Sequence, residues 1–354
     1  MKFFQHRQTT VFFQRAPGMV LPVLTLCLIT VFLTACGAPQ QSKGQAARNA
    51  TPSFSPTSSP NSSPTSSPTA SPTLSPTPSP TSSPTPSLTF SHIFTIVLEN
   101  HDYTSIIGKS DAPYLNSLVS TYGLATQYYA IGHPSLPNYM ALTGGSTFGI
   151  TSDCTTCFQN APNLADQIEA SGRTWKAYME SMPSPCYIGD SPDGLYMQKH
   201  DPFLYYDDIR TNHTRCTTHV VPFTQFTTDL SENNLPAYVW ITPNMCHDMH
   251  DCSVGTGDTW LSQVVPLILQ SAAFTHGGLL FITFDEGETS AGCCNDAVGG
   301  QVTTLVISPL VKRGFQSTIP ETHYSLLRTI EDVWALPPLE DARKSRAMTE
   351  YFML

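Results

Sequence analysis

Short apolar runs rich in β-branched and aromatic residues recur along the last three quarters of the chain. Four of them are typical of buried parallel strands, and they cover residues 93–98, 238–242, 279–284 and 302–308. Between these runs, apolar positions follow helical spacing over residues 112–121, 164–171, 260–270 and 324–334. This alternation predicts an α/β fold, in which a mostly parallel sheet has helices on both faces.

The N-terminal segment has a different pattern. Three basic residues precede an apolar run over residues 19–33, which ends in Leu-Thr-Ala-Cys at Cys36. The run is shorter than the roughly 20 residues that a membrane-spanning helix needs, and small residues before Cys36 suit cleavage. We interpret residues 1–36 as a lipoprotein signal peptide, with an uncleaved signal anchor as the alternative. The mature chain is then expected to be exported and held at the membrane by a lipid on Cys36.

Residues 37–88 lack hydrophobic periodicity and consist largely of Pro, Ser and Thr in near-repeats. Such a segment cannot bury a core, and its frequent prolines keep it extended. We therefore predict a disordered stalk between lipid and enzyme. The composition changes sharply after it, and residues 89–354 suffice for one large α/β domain, which we take to be the catalytic domain.

The charge balance argues against a nucleic-acid partner. The whole chain has 17 Lys and Arg against 27 Asp and Glu. Cleavage before Cys36 would remove Lys2, Arg7 and Arg15 and no acidic residue, which leaves a mature net charge of about −13. A nucleic-acid binder needs a basic face to replace the counterions of the phosphates, and this chain offers none.

Ten cysteines are present, and eight follow Cys36. In an oxidising compartment, an even number predicts up to four disulfides. The pairs that we expect are Cys154 with Cys157, Cys186 with Cys216, and Cys246 with Cys252. A zinc site built from these thiols is the competing interpretation.

Two predicted strands end in neighbouring oxygen ligands. Glu99 and Asn100 follow the strand at 93–98, and Asp285 and Glu286 follow the strand at 279–284. Ligands of an open α/β sheet bind beyond the carboxyl ends of its strands, so these side chains can converge on one hard cation. The alternative is that each pair merely caps a helix or ends a strand.

A third candidate is Ser135, within the sequence His-Pro-Ser-Leu-Pro-Asn-Tyr at residues 133–139. The serine comes just before a predicted helix, where unpaired N–H groups and the helix dipole favour an alkoxide and an incoming phosphate. Taken alone, a serine at this position is also a good helix N-cap.

These segments together resemble the phosphoesterase branch of the alkaline phosphatase superfamily, which contains bacterial acid phosphatases and phospholipases C. The resemblance spans residues 92–348 and includes further motifs in order along the chain. These are Leu-Glu-Asn-His at 98–101 with Tyr103, Ala-Pro-Tyr-Leu at 112–115, Lys-His-Asp-Pro-Phe at 199–203, Trp-Ile-Thr-Pro-Asn at 240–244, Phe-Asp-Glu-Gly at 284–287 and Thr-His-Tyr-Ser at 322–325.

The resemblance implies an alkaline-phosphatase-like fold and a role for each matching residue. A divalent metal would be held by Glu99, Asn100, Ser135, Asp285 and Glu286. Ser135 would become transiently phosphorylated, and Asn138 would contact the phosphate. Histidines at His200, His250 and His323 match regions where relatives bind the phosphoryl oxygens or protonate the leaving group. We expect His200 and His250 to bind substrate, and His250 or His323 to act as the catalytic acid.

The number of metal ions is left open by the sequence. The segment at 247–251, His-Asp-Met-His-Asp, is dense in potential ligands and could hold a second metal. The other interpretation gives it phosphate-binding and hydrogen-bonding roles.

The expected function is metal-dependent hydrolysis of phosphate monoesters, of the acid phosphatase type, through a phosphoserine. A phospholipase C-type phosphodiesterase is the alternative because it shares this core. A surface binding protein that keeps the fold without catalysis is a remote third, against which an intact Ser135 and a full set of metal ligands argue.

Overall fold

The computed structural model describes residues 88–353. The predicted signal peptide, Cys36 and nearly all of the predicted stalk lie outside the described residues, and these interpretations stay predictions. No helix within the described range has both the length and the apolar character needed to cross a membrane.

Ten strands form within this range. They are β1 (His92–Leu98), β2 (Gly123–Ala125), β3 (Tyr128–Tyr129), β4 (Trp175–Met179), β5 (Val220–Pro222), β6 (Tyr238–Thr242), β7 (Gly278–Phe284), β8 (Thr304–Ile307), β9 (Gln316–Ser317) and β10 (Glu321–Thr322). Eight of them make one sheet in the order β5-β4-β6-β1-β7-β8-β2-β9, and β10 pairs with β3 separately. The four predicted strands lie side by side at its centre.

The sheet is mostly parallel, as predicted. Strand β1 runs parallel to β6 on one side and to β7 on the other. The side chains of β6 and β7 are all buried, and so are those of β1 after His92. Continuous burial explains why these strands are uniformly apolar, since a parallel strand covered on both sides has no polar face to alternate with.

The prediction that all four strands are parallel was wrong for the last of them. Strand β8 runs antiparallel to both β7 and β2. The segment between β7 and β8 contains no helix, so the chain returns beside β7 without the helical crossover that a parallel connection needs.

Ten α-helices of the described part of the chain surround the sheet. They are α1 (Tyr103–Ile106), α2 (Pro113–Val119), α3 (Ser135–Gly144), α4 (Leu164–Ala170), α5 (Asp207–Arg210), α6 (His213–His219), α7 (Thr224–Ser231), α8 (Val254–Gln270), α9 (Ala272–Thr275) and α10 (His323–Val333). Three short 3₁₀ helices cover Gln198–His200, Pro202–Tyr205 and Glu340–Lys344. The four predicted helices correspond to α2, α4, α8 and α10. Helix α8 begins six residues earlier than predicted, at Val254, where the Ser253 side chain caps it by accepting from the Thr256 N–H.

All three expected disulfides are present, at Cys154–Cys157, Cys186–Cys216 and Cys246–Cys252. Sulfurs bonded in this way offer no thiolate to zinc, which removes the competing interpretation for these six residues. Among the described cysteines, Cys293 and Cys294 are free.

Candidate active site

The register of the central strands brings the predicted metal ligands together. Leu98 lies opposite Phe284 in the β1–β7 pairing, so Glu99 and Asp285 leave neighbouring strands at the same edge of the sheet. The Asp285 N–H donates to the Leu98 carbonyl at 2.8 Å, which extends the ladder by one residue. The Asn100 N–H then donates to Asp285 Oδ1 at 3.2 Å. The strand ends are thus fixed to one another by backbone groups.

Ser135 faces these carboxylates from the first turn of α3. Its hydroxyl donates to Glu99 Oε2 at 3.0 Å and lies 3.5 Å from Glu286 Oε1. Because the Ser135 side chain bonds to a carboxylate and makes no cap hydrogen bond to a backbone N–H, the helix-cap alternative does not describe it. The structure therefore unites Glu99, Ser135 and Glu286 across three elements that are distant in sequence.

The other oxygen of Glu99 is held by two aromatic side chains. The Tyr139 hydroxyl donates to Glu99 Oε1 at 2.6 Å, and His200 Nε2 lies 3.2 Å from the same oxygen. The second nitrogen of His200 lies 3.5 Å from Asp248 Oδ2. Burial disfavours charge on both groups, yet the ion pair prevails, lowering the pKa of Glu99 and raising that of His200. His200 thus supports Glu99, and its predicted contact with substrate stays a prediction.

Asp285 is the least satisfied carboxylate of the site. Its Oδ2 is buried and has no hydrogen-bond partner. Burial raises the pKa of Asp285 well above its usual range, and the neighbouring carboxylates of Glu99 and Glu286 raise it further. An unpartnered buried acceptor beside two other carboxylates is the arrangement that a divalent cation neutralises, so the donor chemistry fits a hard metal.

Across residues 88–353, no three His, Cys, Asp or Glu side chains form a ready-made metal-binding group. The three carboxylates of the predicted ligand set, Glu99, Asp285 and Glu286, are therefore not gathered as such a group. Which atoms would bind the ion stays a prediction.

His133 supports Glu286 from the segment just before the serine. Its Nδ1 donates to Glu286 Oε2 at 2.6 Å, and its Nε2 lies 3.2 Å from the Thr289 carbonyl. Burial raises the pKa of Glu286 to about 7, although His133 acts in the opposite direction. The other end of this carboxylate is left facing Ser135.

His250 is the better placed of the two predicted proton donors. Its Nδ1 lies 2.7 Å from Asp251 Oδ1, and its backbone N–H donates to Asp248 Oδ1. No hydrogen bond within the described chain uses its Nε2. In the imidazolium form, Nδ1–H would donate to Asp251, and Nε2–H would be available to a leaving oxygen.

His323 points inward from the start of α10. Its Nε2 bonds to the Asp285 carbonyl, and its Nδ1 lies 3.1 Å from the Tyr128 hydroxyl. Burial lowers the pKa of His323 to about 4, which makes the ring neutral at pH 7. Both nitrogens are engaged, so this placement suits a residue that holds a strand end. Its catalytic role stays a prediction.

Asn138 is also engaged internally. Its carboxamide oxygen accepts from the N–H groups of Ile131 and Gly132, and its nitrogen donates to the carbonyls of Gly132 and Pro134. These four bonds shape the turn that leads into Ser135. A contact between Asn138 and phosphate stays a prediction.

The segment at 247–251 does not gather its side chains around a common point. His247 Nδ1 lies 2.9 Å from Glu180 Oε2, whereas Asp248 faces His200 and His250 faces Asp251. These side chains therefore face different neighbours, and Asp248 Oδ2 is buried without a hydrogen bond. Both interpretations of this segment stay predictions.

An open cavity of about 490 Å³ adjoins these groups. Its lining includes Asn100, His101, His133, His250, Glu288 and Ser290. Two of these residues, Asn100 and His133, bond directly to the carboxylates that surround Ser135. The cavity is therefore the solvent-facing side of the site.

Sequence reasoning gave no role to Tyr139 or His133. Both lie inside the motif at 133–139, so the sequence indicates that they are near the site. Their hydrogen-bond partners could not be predicted from it. Asp153 was missed altogether. It accepts from the Leu136 N–H at 3.0 Å and pairs with Lys199 at 3.0 Å, which ties the first turn of α3 to a distant loop.

Comparison with known proteins identifies the family of the chain. The model of the phosphoesterase family matches residues 108–337. A phosphatidylinositol-3-phosphatase of Mycobacterium tuberculosis is 32% identical over 267 residues, which cover 74% of this chain and 82% of that enzyme. The chain belongs to the phosphoesterase family. The resemblance inferred from the motifs is thereby confirmed.

Fungal acid phosphatases are similar over a comparable stretch. The enzyme of Aspergillus fumigatus is 32% identical over 260 residues, which cover 71% of this chain and 56% of that enzyme. The phosphate-repressible acid phosphatase of Penicillium chrysogenum is 30% identical over 258 residues, which cover 71% and 60% respectively. The chain thus spans less than two thirds of each fungal relative. The predicted enzyme class, a hydrolase acting on phosphoric esters, is confirmed by these phosphatases.

Solved structures with a similar fold identify the fold of this chain. A Vibrio parahaemolyticus protein of the alkaline phosphatase superfamily superimposes with a TM-score of 0.51 at 12% identity, covering 75% of this chain and 72% of that one. The lipoteichoic acid synthase LtaP of Listeria monocytogenes gives a TM-score of 0.51 at 10% identity, covering 73% and 76%. The predicted alkaline-phosphatase-like α/β fold is confirmed.

Proposed function

We propose that this family member is a metal-dependent phosphatase that hydrolyses phosphate monoesters, with Ser135 as the nucleophile. The observation that carries the proposal is the hydrogen bond from Ser135 Oγ to Glu99 Oε2, made at the start of a helix and beside the buried Asp285 and Glu286. A hydroxyl held by a carboxylate at a helix N-terminus is poised to lose its proton and attack a phosphorus atom.

A divalent metal ion would be held by Glu99, Asn100, Ser135, Asp285 and Glu286. When bound, it would supply positive charge that favours the deprotonated hydroxyl and stabilises the charge on the phosphoryl oxygens. The unpartnered Oδ2 of Asp285 and the burial of three adjacent carboxylates support this part of the proposal. One ion is proposed, because His247, Asp248 and His250 face different neighbours.

In the first step, Ser135 Oγ attacks phosphorus and the bond from phosphorus to the ester oxygen breaks. Glu99 Oε2 is the nearest base for the hydroxyl proton, and His250 Nε2–H gives its proton to the departing oxygen. In the second step, water attacks the phosphoserine and the bond from phosphorus to Oγ breaks. His250 takes a proton from that water, Ser135 regains its own proton, and inorganic phosphate leaves.

Monoester hydrolysis is favoured over diester hydrolysis because similar curated proteins are named acid phosphatases.

We also propose that the enzyme is exported and tethered through Cys36. The three disulfides support export, since such bonds persist in oxidising compartments.

The decisive experiment compares p-nitrophenyl phosphate with p-nitrophenyl phosphorylcholine, with and without a chelator. We expect hydrolysis of the monoester, its loss on chelation, and its recovery when a divalent ion is restored. Preferred hydrolysis of the diester would assign the enzyme to the phospholipase C type.

Ser135→Ala should abolish turnover but retain bound metal, because the other four ligands remain. Activity of Ser135→Ala within about tenfold of the parent, well short of the loss expected for a missing nucleophile, would exclude the covalent mechanism.

A further inference from the structure

The open cavity beside Ser135 has a lining that discriminates between leaving groups. Its side chains are three imidazoles, an amide, a hydroxyl, a carboxylate and one thioether. The thioether belongs to Met249, which is only 1% exposed. A cavity without an exposed apolar wall gains little by burying an acyl chain. The alcohol part of the substrate is therefore expected to be hydroxylated.

The charged side chain at the entrance of the cavity is a carboxylate. Among residues 88–353, neither Lys nor Arg contributes to its lining, whereas Glu288 does. The Glu288 side chain is 65% exposed, and its Oε1 lies 3.9 Å from His101 Nδ1. Its charge therefore stands at the rim of the cavity, where an entering molecule meets it.

The nearby basic side chain of Lys199 does not offset this charge. Lys199 Nζ lies 3.0 Å from Asp153 Oδ2, and its side chain is 14% exposed. It is thus paired before any substrate arrives. A second anionic group on the leaving alcohol would meet the Glu288 carboxylate, and no lysine or arginine of the described lining would compensate it.

We infer that the cavity selects phosphate monoesters of small, hydroxylated alcohols that are uncharged or cationic, and that Glu288 sets this preference. The inference rests on the proposed function and specifies its substrate class. The Glu288 carboxylate accepts hydrogen bonds from hydroxyl groups of the alcohol and repels a carboxylate or second phosphate in the same position. The volume of about 490 Å³ suits a leaving group of a few carbon atoms surrounded by water.

Two substrates of nearly equal size test this directly. Glycerol 3-phosphate and 3-phosphoglycerate differ chiefly in a hydroxymethyl group where the second has a carboxylate. With the metal-supplied enzyme at pH 7 and low salt, kcat/KM should favour glycerol 3-phosphate on the order of tenfold. Raising the salt should reduce this ratio, because the charge of Glu288 is exposed to solvent.

Variants of Glu288 separate its charge from its shape. Glu288→Gln should narrow the preference, and Glu288→Lys should remove or reverse it, each measured as the ratio of kcat/KM for glycerol 3-phosphate to kcat/KM for 3-phosphoglycerate. The matched control is Glu232→Lys, which makes the same charge change on an exposed residue at the C-terminal end of α7. The nearby residues Asn233 and Leu235 lie beside His92, at the start of β1. The site lies at the other end of that strand. The control should leave the ratio unchanged.

The outcomes distinguish this inference from the proposed function. Equal kcat/KM for the two substrates in the parent enzyme, or an unchanged ratio in Glu288→Lys, would overturn the role of Glu288 and leave the phosphatase assignment intact. Failure to release phosphate from either substrate and from p-nitrophenyl phosphate would refute the proposed function and this inference with it.

Discussion

The rings of Tyr139 and His200 stack at 5.3 Å between centroids, with 15° between their planes, and both approach the same oxygen of Glu99. The Tyr139 hydroxyl donates a hydrogen bond to Oε1, and His200 Nε2 lies at ion-pair distance from the same atom. The second oxygen, Oε2, is thereby directed at Ser135. This stacked pair orients the carboxylate that receives the serine hydrogen bond.

The first prediction concerns the Tyr139 hydroxyl. Tyr139→Phe keeps the stacked ring and removes one donor to Glu99, so turnover should fall about tenfold or more. The control is Tyr206→Phe, which removes a buried hydroxyl that bonds to Thr143 on the same helix. Both variants should lose about 1 kcal/mol of unfolding free energy, but only the first should lose activity. Equal activities in steady-state assays would show that Tyr139 only packs.

The second prediction tests the metal site. Asp285→Asn and Glu99→Gln each remove a negative charge from the proposed ligand set, so metal content and turnover should fall together. The control is Asp258→Asn, since Asp258 is equally buried but accepts from the backbone N–H groups of Tyr114 and Leu115. It should lose stability and keep its metal. Elemental analysis of the purified proteins provides the measurement, and full occupancy in both site variants would place the metal elsewhere.

The third prediction follows from a buried carboxyl outside the site. Burial, together with the neighbouring Glu350, raises the pKa of Glu321 to about 9. The folded protein therefore holds a proton that the unfolded chain has already released above a pH of about 4.5. Stability should fall as the pH rises between these values, by at most about 1.4 kcal/mol per pH unit.

Urea unfolding at pH 5.5 and pH 8.5 measures this effect. Glu321→Gln should flatten the pH dependence, because an amide cannot ionise and can still accept from the Tyr351 hydroxyl. The exposed Glu232→Gln should keep the slope of the parent. A parent whose stability does not change over this range would contradict the prediction.

The fourth prediction concerns the Cys246–Cys252 disulfide. This bond encloses His247, Asp248 and His250, so replacing both cysteines by serine should reduce turnover more than it reduces stability. Replacing Cys186 and Cys216 provides the contrast. Their bond closes a longer loop, with a sequence separation of 30, and its loss should cost about 3 kcal/mol of stability with turnover retained. Circular dichroism measures the loss of stability, and ester hydrolysis measures the loss of turnover. Equal losses of turnover in the two variants would show that the Cys246–Cys252 bond does not position the site.

The strand-end ligands could be predicted because a parallel sheet places successive carboxyl ends at one edge. To predict Glu99 and Asp285 as ligands, it was enough to recognise two apolar runs and the residue that follows each run. The direction of β8 could not be predicted, since its apolar pattern is the same whichever way the strand runs. The pairing of β8 with β7 depends on the helix-free return of the chain, which is a tertiary property.

The histidines show a second limit. His250 and His323 both carry a ring that can donate a proton, and sequence alone treats them alike. Their placement differs because His323 begins a buried helix and finds partners at both nitrogens, whereas His250 leaves one nitrogen free. The contact between His133 and Glu286 likewise joins residues 153 positions apart, which no local spacing reveals.

The helix-free segment from β7 to β8 carries both the proposed metal ligands and the residue at the rim of the cavity. Its first residues, Asp285 and Glu286, are fixed by the ladder to β1 and by His133. Glu288 follows after Gly287, and its side chain is exposed. Substitutions at Glu288 can therefore reshape what the enzyme accepts without moving the atoms that break the ester bond. Selectivity could diverge in this loop while the hydrolytic chemistry is inherited unchanged.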